Sequence, residues 1–85
     1  MNEFECRVIL FDSTHQALRG ERALKEAEIS YAVINTPREF SVDCGISLRI
    51  GTEAEEAARA ALQEAGVVFA DIVPYRTRVG KRGGP

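Results

Sequence analysis

The chain has 85 residues, one small domain with no room for a second. Apolar residues are 45% of it and charged residues 28%, an ordinary globular composition that excludes global disorder, and no apolar run approaches the roughly 20 residues of a membrane helix. The net charge of −2 is a remainder: residues 1–75 hold seven basic and thirteen acidic residues, whereas residues 76–85 hold four basic and none acidic. An acidic body argues against a face built for nucleic acid.

The first residues, Met1-Asn2-Glu3-Phe4-Glu5, lack the basic-then-apolar pattern of a signal peptide, so a cytoplasmic protein is expected. Cys6-Arg7-Val8-Ile9-Leu10-Phe11 is β-branched and aromatic, which predicts a buried strand over 5–12. Ser13 followed three residues later by Gln16 is a capping-box signature. It predicts a helix from there to about Glu28, with Ala17, Leu18, Leu24 and Ala27 recurring at helical spacing.

Residues 31–36 predict a second strand, closed by Pro37. Residues 46–50 alternate apolar and polar, as a half-buried strand should. Thr52 is the expected N-cap of an Ala-rich helix over 53–65, with Glu53, Glu55 and Glu56 near its positive end and Gly66 as its C-cap. Residues 67–73 predict a fourth strand ended by Pro74. The expected domain is 1–75, followed by a basic, Gly-rich, disordered tail over 76–85.

The order is β-α-β-β-α-β, the split βαβ pattern of an α+β, ferredoxin-like fold. Two helices should cover one face of a four-stranded antiparallel sheet of order 4-1-3-2. The end of strand one then lies beside the start of strand three. Ser13, Thr14 and His15 should face the 37–45 loop, which holds Cys44. Cys6 should lie at the opposite end of strand one, roughly 20 Å away at strand rise, too far for a disulfide.

Cys44 thereby gains the setting of an activated thiol. A helix N-terminus favours a thiolate, His15 is a candidate pairing base, and Arg38 adds positive charge from the loop. Asp43 opposes it, because a neighbouring carboxylate disfavours the thiolate. Gly45 leaves room beside the sulfur for a second reactant. Against this stands the plain reading: a loop cysteine as an inert small residue, His15 as a solvated first-turn residue, Arg38 as turn decoration. Cys6 reads as packing.

The loop residues Pro37-Arg38-Glu39-Phe40-Ser41 with Cys44-Gly45 carry a resemblance. Together with Ser13-Thr14-His15 and the helix that follows, the chain resembles the selenium/sulfur carrier protein-like family over about residues 6–73. The resemblance implies a small carrier whose Cys44 holds sulfur or selenium as a persulfide or perselenide. Pro37 and Ser41 would support it as parts of the loop motif. It implies two partners, a donor such as a cysteine desulfurase and an acceptor protein. Cys6 and the basic tail take nothing from it.

Rival readings stand beside this one. A metal chaperone would place paired cysteines after strand one, where Asp12-Ser13-Thr14-His15 has none. An RNA-binding sheet needs exposed aromatics, and strand three has none. One histidine, no triad and no phosphate-binding glycine loop argue against an independent enzyme, and no cofactor or metal is expected. The serious rival is a non-catalytic interaction or ligand-binding domain that forms a homodimer through the open face of its sheet.

Overall fold

The computed structural model describes residues 2–40, 42 and 44–79, with side chains over 5–40, 42 and 44–76. Strand β1 (Asn2–Leu10) leads to helix α1 (Thr14–Glu26) and strand β2 (Ala32–Asn35). Strand β3 (Ile46–Gly51), a 3-10 turn (Thr52–Ala54), helix α2 (Glu55–Glu64) and strand β4 (Asp71–Val79) follow. The four strands form one sheet in the order β2-β3-β1-β4, with every neighbouring pair antiparallel. The fold is α+β.

Local chemistry explains the helix ends. The Ser13 hydroxyl accepts from Gln16 N at 3.2 Å, as the capping signature predicts. Gln16 does not return the bond as a capping box would. Its side-chain oxygen accepts from Val68 N at 2.9 Å, tying α1 to the segment after α2. Helix α1 stops at Glu26, short of the expected Glu28, and Glu28 takes a left-handed conformation at φ 60°. Gly66 ends α2 at φ 71°, where glycine carries no Cβ penalty.

Helix α2 begins later than predicted. Thr52 opens the 3-10 turn instead of capping the helix. Glu55 stands in the first turn of α2 and accepts from Arg7 Nε of β1 at 2.8 Å and from Arg59 Nη2 at 3.2 Å. These two bonds hold its carboxyl below the usual value.

The strands at one edge differ most from expectation. β1 starts at Asn2 and ends at Leu10, and β4 starts at Asp71, not Val67. β4 continues through Pro74, which is registered opposite Arg7. An edge strand tolerates proline because its missing N–H can point away from the ladder. Residues 76–79, expected in the tail, are strand. In the ladder, Arg76 is registered opposite Glu5 and Arg78 opposite Glu3. Residues 80–85 lie outside the described residues.

One face of the sheet carries the core. Ile9, Leu48, Ile50 and Ile72 pack with Phe11, with Ala17, Ala23 and Leu24 of α1, and with Ala58 and Leu62 of α2. Gly20 is part of this fit. A Cβ there would stand 2.7 Å from the Phe11 ring and 3.4 Å from Leu62 Cδ2.

The opposite face was expected to be open. Strand alternation puts Val8, Leu10 and Ser47 on it, yet all three are buried. The connection between β2 and β3 crosses toward the far edge strand, where the Phe40 ring meets Tyr75 edge-on at 6.0 Å. This chain therefore already covers much of the apolar surface that a sheet-mediated homodimer would use.

Two measurements check this account. Alanine in a helix interior normally gains about 1 kcal/mol over glycine. Gly20→Ala should instead lose about 1–3 kcal/mol in denaturant unfolding, because overpacking against Phe11 dominates. The Glu55 carboxyl takes its proton at lower pH in the folded chain than in the unfolded one. Its ion pairs thus stabilise above the unfolded value, near 4.5, and are lost as pH falls through the folded value. The stability difference between wild type and Glu55→Gln should be present near neutrality and shrink below about pH 4.

Candidate functional site

Cys44 lies two residues before β3, and its side chain points into the core under the start of α1. Only 3% of it is exposed, and it packs in the cluster of Ile9, Phe11 and Leu48. This differs from the expected loop cysteine. The Thr36 N–H bonds the Gly45 carbonyl at 2.9 Å, which prolongs the β2–β3 ladder and draws residue 44 in against the sheet.

Three polar groups hold the residue. The Cys44 thiol donates to the Ile46 carbonyl at 3.2 Å. The Thr14 hydroxyl lies 3.9 Å from the sulfur. A thiol has one proton, and Ile46 takes it, so Thr14 is the donor in that contact. The Thr36 hydroxyl donates to the Cys44 carbonyl at 3.0 Å and, its proton thus used, accepts from Ser47 at 2.7 Å.

The fold thus brings Thr14, at the start of α1, onto Cys44. Thr14 is itself exposed, so the sulfur lies one side chain below the surface. Gly45 is exposed beside it, and a Cβ there would have no atom within 4 Å. Ser13 acts as the cap of α1 and does not bond the sulfur.

His15 and Arg38 stand apart from the thiol's hydrogen bonds. His15 is exposed and lines a groove between α1 and the end of α2, with Arg19, Arg22 and Val67. Arg38 is exposed in a turn closed by Phe40 N donating to the Pro37 carbonyl at 3.1 Å. Pro37 is the first residue of that turn. Ser41 and Asp43 lie outside the described residues.

Thr36 and Ser47 were missed as site residues. Ser47 occupies a polar position of an alternating strand, which reads as solvent-facing, yet it is fully buried. Its hydroxyl bonds Thr36 at the start of the long connection, and alternation carries no signal of such a partner. Cys6, expected at the end of the first strand, is buried at the middle of β1, opposite Gly51 and Tyr75, because the strand extends back to Asn2. Burial pushes its thiol up, while Arg49 and Arg7 pull it down. Both cysteines are free.

Residues 5–74 match the model of the family described as "Putative Se/S carrier protein-like". The chain belongs to this family. The matched span takes in Thr14, Thr36, Cys44 and Ser47, and so the whole junction of α1 with β3. No curated protein and no solved structure matches the chain. Among the described residues no helix is long and apolar enough to cross a membrane.

The Thr14 roof makes a kinetic prediction. In a Cys6→Ser background, Cys44 should react with an aromatic disulfide reagent far more slowly in the folded chain than in denaturant. Thr14→Ala should speed the folded reaction several-fold, whereas Thr14→Val, which keeps the bulk, should leave it slow. Equal rates for all three folded chains would show that Thr14 does not shield the sulfur.

Proposed function

We propose that this protein is a carrier that holds sulfur or selenium on Cys44 as a persulfide or perselenide and passes it to an acceptor protein. The observation that carries the reading is membership in the carrier-like family over a span that contains Cys44. The setting of the thiol supports it. A buried sulfur under one exposed side chain can be reached by a partner yet is shielded from bulk oxidants.

In loading, the Cys44 sulfur gives up its proton, now held toward the Ile46 carbonyl, and attacks the terminal sulfur of a donor persulfide. One S–S bond forms on Cys44 and the donor's S–S bond breaks. The electron pair of the broken bond leaves with the donor thiolate, so no outside oxidant or reductant is consumed. A cysteine desulfurase is a donor of the required kind. Unloading is the same step with an acceptor thiol attacking the outer atom.

Thr14 would donate to the sulfur and move aside as the donor approaches past Gly45. His15 and Arg38 are assigned to the surroundings of this path, with Pro37 and Ser41 shaping the loop. Cys6 is registered opposite Gly51, seven residues along the chain from Cys44 or about 23 Å at strand rise, so it cannot collapse a Cys44 persulfide into a disulfide. The strand and helix order, with sheet order β2-β3-β1-β4, supports a ferredoxin-like assignment of the fold. Two unpaired cysteines suit a reducing compartment, which supports a cytoplasmic place of action.

The test is incubation with a cysteine desulfurase and cysteine, followed by intact mass measurement. The chain should gain one sulfur atom. Cys6→Ser should keep the adduct and Cys44→Ser should lose it. An adduct absent from the wild type, or unchanged in Cys44→Ser, overturns the assignment.

A further inference from the structure

The groove beside α1 offers a surface that the thiol chemistry does not use. It has a volume of about 450 Å³ and lies between α1 and the end of α2. Its floor is apolar, with buried Ala23 and Val67. Leu18 lines it at 55% exposure, and Val68, next to lining residue Val67, is 63% exposed. These are two of the three large apolar side chains that the described residues leave exposed.

The charges are sorted along the groove. Arg19 and Arg22 line it along the middle of α1, with His15 at the start of the helix and Glu26 at its end. A neighbouring depression continues past Glu26 to Glu64. Arg19 is partly committed, donating to the Ala65 carbonyl at 3.2 Å. Arg22 makes no ion pair among the described residues, where both ion pairs belong to Glu55. A cluster of cations beside exposed leucine and valine, on an otherwise acidic body, fits a partner that is both acidic and apolar.

The position ties this surface to the thiol. Leu18 is four residues from Thr14, about 6 Å along the helix. His15 directly follows the residue that bonds the Cys44 sulfur. We propose that the α1 groove lined by His15, Leu18, Arg19 and Arg22 docks an acidic, leucine-type apolar segment of the protein that exchanges the atom with Cys44. The identity of that partner's task rests on the carrier reading; the docking itself does not.

The test titrates the full chain with two synthetic peptides and follows backbone amide shifts by NMR. Both peptides carry leucines at helical spacing; one has flanking glutamates and the other flanking lysines. The acidic peptide should shift His15, Leu18, Arg22, Val67 and Val68. Arg22→Glu should weaken it by about threefold to tenfold and should improve binding of the lysine peptide. Leu18→Ser should weaken both.

Equal binding of the two peptides, shifts centred elsewhere, or no binding overturns the proposal. So does inorganic phosphate reproducing the same shifts with the same Arg22 dependence, which would mean an anion site only. Cys44→Ser should bind the acidic peptide like wild type. Peptide binding without sulfur loading would remove the carrier reading and keep the docking surface; loading without peptide binding would do the reverse.

Discussion

The antiparallel pairing of β1 with β3 sets the position of everything around Cys44. Ile9 opposite Leu48 fixes the register, so the chain leaving β1 turns into α1 beside the point where the chain enters β3. Thr14 and Cys44 are 30 residues apart in sequence and meet only through this pairing. A slip of one residue would put Ile9 and Leu48 on opposite faces of the sheet. The core under α1 would go with them, and so would the fit of Phe11 against the bare backbone of Gly20.

The connection between β2 and β3 has two physical jobs. At its base the half-buried Thr36 hydroxyl donates to the Cys44 carbonyl and accepts from the buried Ser47 hydroxyl. Further along, Phe40 reaches Tyr75 on the far strand. Burying the Ser47 hydroxyl is tolerated because it is hydrogen-bonded; removing the Thr36 hydroxyl would take that partner away. The result is a cysteine whose carbonyl is held by Thr36 and whose buried side chain lies beneath exposed Thr14. That combination suits a group that must hold a reactive sulfur atom between partners.

Charge is arranged by location more than by total. Glu5 and Arg76 lie opposite each other in the paired ends of β1 and β4. Glu55 binds Arg7 and Arg59 and ties the start of α2 to the sheet. Arg59 also sits over the Phe69 ring at 5.9 Å. Among the described residues Arg22 of α1 forms no ion pair, and it lines the same groove as exposed Leu18.

Much of the fold was legible because it rests on local chemistry. Ser13 is a cap because its hydroxyl reaches the third residue after it. Gly66 ends a helix because only glycine enters the left-handed region without strain. Ile46, Leu48 and Ile50 form a strand because alternation places them on one face. These depend on near neighbours in the chain, and the order of elements then limits the topology. The site was less legible. The nearness of Thr14 to Cys44 follows from strand order, but the burial of Cys44 does not, nor does that of Ser47. His15 was a reasonable base by sequence, yet a helix residue one position on points a different way, and it faces the groove. Pro74 read as a strand end because nothing local says that its strand is an edge. The sequence alone determined the order of the elements, the Ser13 and Gly66 caps and the family resemblance at Cys44. Tertiary structure alone decided that both thiols are buried and that Thr14 covers Cys44, because burial depends on contacts between residues far apart in the chain.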